Sequence, residues 1–336
     1  MKEALLYEKL GKGLVRCYLC AHFCRIKDKG FGCCGVRQNI GGTLFTHSYG
    51  KIVAAHVDPV EKKPLYHFLP GSFSFSIAAA GCNFRCGFCQ NWQISQELDI
   101  GAQTREVAPK EIVEAALNNK CRSISYTYTE PTIFFEYALD TARLAKVNGL
   151  RNVFVTNGYM TEEALLMIKP YLDASNIDLK FFKEESYGRI CKAALQPVLD
   201  TIKLMLRLKV WVEITTLVIP DENDSDEELK GIAGFIAGLD KNIPWHISRF
   251  HPDYNFTDYP VTPESTLERA QKIGESAGLK FIYIGNLPGF NSDTYCPECK
   301  KLLIKREFFS ISGNNMKEGR CSFCAQGIPG IFEGFR

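Results

Sequence analysis

Between residues 72 and 286, seven short β-rich runs alternate with six amphipathic helical patterns, and this alternation narrows the fold more than any other feature. The runs are SFSFSIA (72–78), SISYTYT (123–129), NVFVTN (152–157), SNIDLK (175–180), WVEITTLVI (211–219), WHISRF (245–250) and FIYIGN (281–286). Helical spacing falls at 109–119, 131–148, 161–169, 189–208, 225–239 and 263–277. Pro109 and Pro263 suit first helical turns, and Ser225 with Glu228 has the spacing of a capping box. Strict alternation requires crossover connections, so the strands are parallel and the crossovers right-handed. Six βα units and a seventh strand fit an α/β chain built as a partial (β/α)6 TIM-like barrel. A doubly wound open sheet is the alternative that periodicity leaves standing. In both, ligands bind at the carboxyl ends of the strands.

Fourteen cysteines in 336 residues are the second constraint. A chain this long buries a sizeable core without disulfide staples, so clustered cysteines read as thiolate metal ligands in a reducing compartment. Eleven fall into three clusters, leaving Cys33, Cys121 and Cys191 unassigned. The clusters divide the chain into a cysteine-rich segment (1–70), the βα core (71–290) and a second cysteine-rich segment (291–336). A net charge of +2 gives no polyelectrolyte signature, which argues against a nucleic-acid partner. No apolar run approaches the ~20 residues of a membrane span, and MKEALLYEKLGKG lacks a signal-peptide core. The expected location is the cytoplasm, with no membrane contact.

The central triplet Cys82, Cys86 and Cys89 is spaced C-x3-C-x2-C, directly after the first core strand. Structural zinc wants four protein ligands, whereas a [4Fe–4S] cube held by three thiolates leaves one iron open. An amino group and a carboxylate together can chelate such an iron. With an aromatic residue, Phe88, before its last cysteine, this loop resembles the signature of the radical S-adenosylmethionine (SAM) superfamily. The resemblance implies a [4Fe–4S] cluster and SAM as cofactors, and SAM cleavage to a 5′-deoxyadenosyl radical. TYTEPT ends the second strand where the superfamily carries glycine-glycine-glutamate-proline. Glu130-Pro131 matches, Tyr128 and Thr129 replace the glycines, and Glu130 would bind the methionine ammonium.

Later strings resemble glycyl-radical-enzyme activases such as the pyruvate formate-lyase activating enzyme. Thr156-Asn157-Gly158 matches after the third strand, though Val155 stands where those proteins have aspartate. Asp178-Leu179-Lys180 matches at the fourth, where acid and base contact SAM or its counter-ion. Phe250-His251 resembles a pair whose histidine lies near adenine. Over about residues 14–330, CYLCAHFC…CCGVRQN, NIDLKFF, EITTLVIP and WHISRFHPDY before CPEC resemble the AmmeMemoRadiSam-system radical SAM protein. That likeness implies Memo-like and AMMECR-type proteins as partners and a low-potential electron donor. The implied function is an oxidoreductase that abstracts hydrogen, acting on a protein or protein-bound substrate. A glycyl-radical-enzyme activase is the alternative within the class, and a non-catalytic multi-metal scaffold or adaptor the alternative outside it.

Of the flanking clusters, Cys17, Cys20, Cys24 and Cys34 offer four thiolates, with Cys33 able to substitute and His22 a weaker candidate. Structural zinc and an auxiliary iron–sulfur cluster both accept four thiolates, so the sequence leaves that choice open. Cys296, Cys299, Cys321 and Cys324 form two C-x2-C knuckles around a predicted hairpin, KLLIKREFFSISGNN, as in a zinc ribbon; a rubredoxin-like iron site is the other reading. Both ends are candidates to cover the barrel mouth. Cys121 and Cys191 read as buried apolar residues, and Tyr126, Tyr128, Phe134 and Phe135 as core.

Overall fold

The computed structural model describes residues 1–97, 105–287 and 292–333. At its centre, eight strands form one sheet in chain order: β1 (Ala54–Pro59), β2 (Phe73–Ala78), β3 (Ser123–Tyr126), β4 (Arg151–Thr156), β5 (Ala174–Asp178), β6 (Trp211–Val218), β7 (Trp245–Arg249) and β8 (Ile282–Gly285). From β2 to β8 all pairs are parallel. Helices α1 (Pro109–Asn118), α2 (Phe135–Val147), α3 (Glu162–Ile168), α4 (Leu195–Arg207), α5 (Asp226–Leu239) and α6 (Glu264–Ala277) follow β2 to β7 in turn. Sequential strand order with a helix on every crossover is the barrel winding, and β1 and β8 remain as separate edges. The partial barrel is therefore the architecture, and all seven parallel strands lie where the alternation predicts.

Three details differ from the sequence reading. The sheet takes in β1 from the stretch before residue 71, paired antiparallel to β2 with Ala54 opposite Ala78 and Pro59 opposite Phe73. As an edge strand it is largely exposed and carries no apolar run, so nothing in its pattern announces it. Helix α4 starts at Leu195 rather than 189, because a wide turn at Tyr187–Cys191 ends in Lys192 at φ +56°. The Ser225 hydroxyl does accept the Glu228 N–H at 3.3 Å, as a cap should. The Glu228 carboxylate does not return the bond; it accepts the backbone N–H groups of Phe182 and Lys183, fastening α5 to the loop after β5.

The two cysteine-rich ends occupy opposite poles. Residues 19–21 lie along the loop after β4: Ala21 donates its N–H to the Tyr159 carbonyl (3.0 Å) and Thr161 to that of Leu19 (3.2 Å). A buried Arg37–Glu136 ion pair ties this segment to α2. The C-terminal hairpin, Leu302–Glu307 with Ser310–Asn314, packs instead beneath the amino ends of the strands. There Arg306 reaches the Tyr66 carbonyl at 2.9 Å, and Arg151, the first residue of β4, pairs with Glu333 at 2.6 Å. Only the N-terminal segment borders the mouth; the C-terminal one closes the floor. Buried Glu213 organises that floor, accepting the Tyr66 and His67 N–H groups and His246 Nε2 between 2.7 and 2.9 Å.

Candidate functional site

A cavity of about 530 Å³ opens among the carboxyl ends of β2 to β7. Cys82, Cys86, Phe88 and Cys89 line it from the loop after β2, Glu130 from β3, Asn157 from β4, Asp178 and Lys180 from β5. Residues that lie up to 98 positions apart in sequence, and that the motifs nominate separately, thus share one chamber.

The cysteine loop is held from both sides. A Cβ on Gly87 would meet the Phe256 ring at 2.5 Å, so only glycine admits that ring against the loop. Asn255 donates its N–H to the Gly87 carbonyl at 2.9 Å. Trp92 stacks on Tyr254, ring centroids 5.3 Å apart, and donates its indole N–H to Asp253 at 3.1 Å. Phe88 is buried edge-on to Phe181 and Phe256. Cys82 Sγ accepts the Phe84 N–H at 3.3 Å, Cys86 Sγ lies 3.5 Å from Cys191 Sγ, and Cys89 Sγ lies 3.1 Å from Ser95 Oγ. Burial raises the Cys82 and Cys89 thiols above the ordinary range; for Cys86 the adjoining Cys191 thiol and burial do so together. Such thiols ionise when a metal replaces their protons.

Glu130 is almost fully enclosed. One oxygen accepts the Thr132 N–H (3.0 Å), the Thr132 hydroxyl and the Thr156 hydroxyl (2.8 Å); the other accepts the Asn157 N–H at 2.8 Å. It therefore caps the short helix Pro131–Phe134 while facing the cavity. Burial raises its pKa against these bonds. Tyr128, where the superfamily has glycine, takes φ +63°, the left-handed conformation glycine favours. Asp178 and Lys180 pair at 2.8 Å, and the Lys180 ammonium stands 5.7 Å from the Phe88 ring centre. Burial opposes the Lys180 charge, but Asp178 and the cysteine sulfurs outweigh it and raise its pKa. His251 lies on the exposed rim, with Nδ1 3.3 Å from Gln90 Nε2, and is not among the cavity-lining side chains.

Sequence reading missed five contributors. Tyr128, read as core, lines the cavity and donates its hydroxyl to Asp58. Asp58 also pairs with Lys62 (2.9 Å) and Lys63 (2.6 Å), which line the same wall. Burial lowers Lys63 to about 8 despite that carboxylate. Cys191, read as an inert filler, sits beside Cys86. The undetected strand β1 and the turn after it bring in Asp58, Lys62 and Lys63, the wide turn before α4 brings in Cys191, and Tyr128 stands in the TYTEPT string.

Sulfur spacing tests what each cysteine set fits. Four sulfurs about 2.3 Å from one ion in a tetrahedron lie about 3.8 Å apart. Cys296 with Cys324 and Cys299 with Cys321 stand at 3.6 Å, and all four sulfurs lie within 4.8 Å of one another. Among the described residues no other group of three or more ligand atoms is so close. The cavity cysteines are not in such a group; they offer three thiols from one loop to a shared chamber, the number with which a cube, each thiolate on a different iron, keeps one iron open. Around the N-terminal pocket, Cys17, Cys20, Cys24 and Cys34 line one small hollow together with Cys33, whose sulfur lies 3.6 Å from Cys24 Sγ. His22 is not among the lining residues; its Nε2 lies 2.8 Å from the Asn83 carbonyl.

The Radical SAM superfamily pattern matches residues 76–231. An uncharacterized protein of Methanocaldococcus jannaschii is 46% identical over 332 residues, 98% of this chain and 99% of that one. The pyruvate formate-lyase-activating enzyme of Clostridium pasteurianum is 22% identical over 213 residues, 57% of this chain and 86% of the other. A radical SAM methyltransferase from Sphaerobacter thermophilus superposes with a TM-score of 0.52 at 15% identity, over 65% of this chain and 67% of that structure, a likeness of fold alone. Residues 76–231 form a radical SAM domain, and over its length the chain belongs to one family with its relative from Methanocaldococcus jannaschii.

Proposed function

We propose that this chain is an oxidoreductase that cleaves SAM reductively and directs the resulting radical at a protein or protein-bound substrate. The observation that carries this reading is the shared chamber: three thiols, a buried acid and an acid–base pair converge at the carboxyl ends of the strands. A [4Fe–4S] cluster on Cys82, Cys86 and Cys89 would supply the electron that breaks the sulfonium C–S bond, giving methionine and a 5′-deoxyadenosyl radical. Glu130, with a lone pair left on the oxygen that faces Asn157, accepts the methionine ammonium. Lys180 neutralises a carboxylate, and Asn157 orients its amide on Asn83 beside Cys82. Phe88 and its aromatic neighbours exclude water behind the cluster site, which protects a radical from quenching.

The likeness to a pyruvate formate-lyase-activating enzyme favours a second reading, a glycyl-radical-enzyme activase. The end-to-end motif resemblance favours Memo-like and AMMECR-type partners, a low-potential donor and a cytoplasmic setting. Anaerobic reconstitution, reduction and addition of SAM should yield 5′-deoxyadenosine, and Cys86→Ala should abolish it. Product from that variant would refute the assignment. A persistent glycyl radical on a partner would select the activase; product stimulated by a Memo-like protein would select the other.

A further inference from the structure

We propose that Cys191 is a positioning residue for the cluster site, its thiol donating a hydrogen bond to the Cys86 sulfur and so raising the potential at which the site takes up its electron. This rests on the radical SAM reading above, which makes Cys86 an iron ligand. The contact is direct: the two sulfurs stand 3.5 Å apart, and Cys191 is wholly buried. Thiolates on separate corners of a cube radiate away from one another. A sulfur touching one ligand is therefore a neighbour of the cluster and not a further ligand.

Local structure holds that thiol in place. Cys191 ends the wide turn Tyr187–Cys191, and Lys192 follows it in the left-handed conformation. The Arg85 N–H, from inside the cysteine loop, donates to the Cys191 carbonyl at 3.0 Å and pins the turn to the loop. At the other end of the turn, the Tyr187 hydroxyl accepts the Lys180 N–H at 3.1 Å, which ties it to the end of β5.

The other two sulfurs are provided for in the same way. Cys82 accepts the Phe84 N–H at 3.3 Å, and Cys89 lies 3.1 Å from the Ser95 hydroxyl. Each of the three ligand sulfurs thus has one donor within reach: an N–H, an O–H and, for Cys86, an S–H. Iron displaces the Cys86 proton on binding, which leaves Cys191 as the donor of that pair. Reduction adds negative charge that the sulfurs share, so a donor stabilises the reduced state more than the oxidised one. Burial keeps water from taking the place of the thiol. No bond is made or broken: the electron comes from the low-potential donor, and the Cys191 proton stays on its own sulfur.

Anaerobically reconstituted full chain tests this without SAM. The reducible EPR signal to follow is the one absent from Cys82→Ala/Cys86→Ala/Cys89→Ala. At the solution potential that half reduces it in the unaltered chain, Cys191→Ala should lower the ratio of reduced to oxidised cluster about two- to tenfold, the worth of one hydrogen bond. Tenfold corresponds to about 59 mV for one electron. Cys191→Ser, with a stronger donor in the same place, should restore the ratio or exceed it. An unchanged ratio in Cys191→Ala would overturn the proposal. So would a fall that serine fails to restore, which would mark packing instead of donation, or loss of the triplet's iron, which would make Cys191 a ligand. A triplet that gives no reducible signal in the unaltered chain would overturn the radical SAM reading itself, and this role with it.

Discussion

Glu130 has two duties on one carboxylate, and they pull in the same direction. Its four accepted bonds fix the turn between β3 and Pro131–Phe134 and hold the negative charge where a substrate ammonium would arrive. Glu130→Gln removes that charge and turns one acceptor into a donor facing backbone N–H groups. A lost charge-assisted hydrogen bond is worth about 1.5–3 kcal/mol, so SAM affinity should fall roughly 10- to 150-fold by equilibrium binding. Glu130→Asp should recover part of the loss, and unchanged affinity in Glu130→Gln would remove Glu130 from the SAM contacts. Glu130 and the cysteine triplet were legible because each lies in a short, contiguous motif. Lys63 and Cys191 were not, because their placement depends on pairing over long sequence separation. Tyr128 even hides its role: its aromatic ring reads as core, whereas its left-handed backbone swings the hydroxyl to Asp58.

At the scale of elements, the seven parallel strands and six helices could be read because period and length agree along each segment. Edge strand β1 carried neither signal, and the poles taken by the two ends follow from tertiary contacts that no local pattern encodes. Docking of the N-terminal segment onto α2 depends on Arg37 and Glu136, both nearly inaccessible to solvent. Glu136 also accepts the Leu5 N–H at 2.7 Å, and Arg37 also donates to the Leu5 carbonyl at 3.0 Å. Removing one partner strands a buried charge, so Glu136→Gln should cost about 3–5 kcal/mol in urea unfolding. Arg37→Met/Glu136→Leu should be less damaging than the sum of its single changes, because no lone charge is left behind. Additive losses would mean that the two side chains act independently.

Across the whole molecule, the chamber and the C-terminal cysteine quartet sit at opposite ends of the barrel. Cys299→Ser/Cys324→Ser should lose one metal ion, zinc or iron, per chain by metal analysis and lower the melting temperature, yet leave SAM cleavage by the folded fraction intact. Loss of cleavage in fully folded protein would place the quartet near the chemistry after all. The floor between them holds its own titration. His67 is fully buried, with Nδ1 2.7 Å from the Pro329 carbonyl and Nε2 2.7 Å from the Tyr283 hydroxyl, a geometry that the neutral ring satisfies by donating once and accepting once. Burial lowers its pKa to about 4. An unfolded histidine titrates near 6.5, so between those values the unfolded chain binds the extra proton. The stability that neutral His67 preserves is complete above about pH 6.5 and is lost as the pH falls toward 4, by about 2–3 kcal/mol at pH 4.5. His67→Gln cannot titrate, and acid release of metals affects it equally, so its urea midpoint should fall less between pH 7 and 4.5 than that of the unaltered chain. Parallel losses in the two chains would mean that the floor histidine is already protonated at pH 7 or that acid sensitivity arises elsewhere.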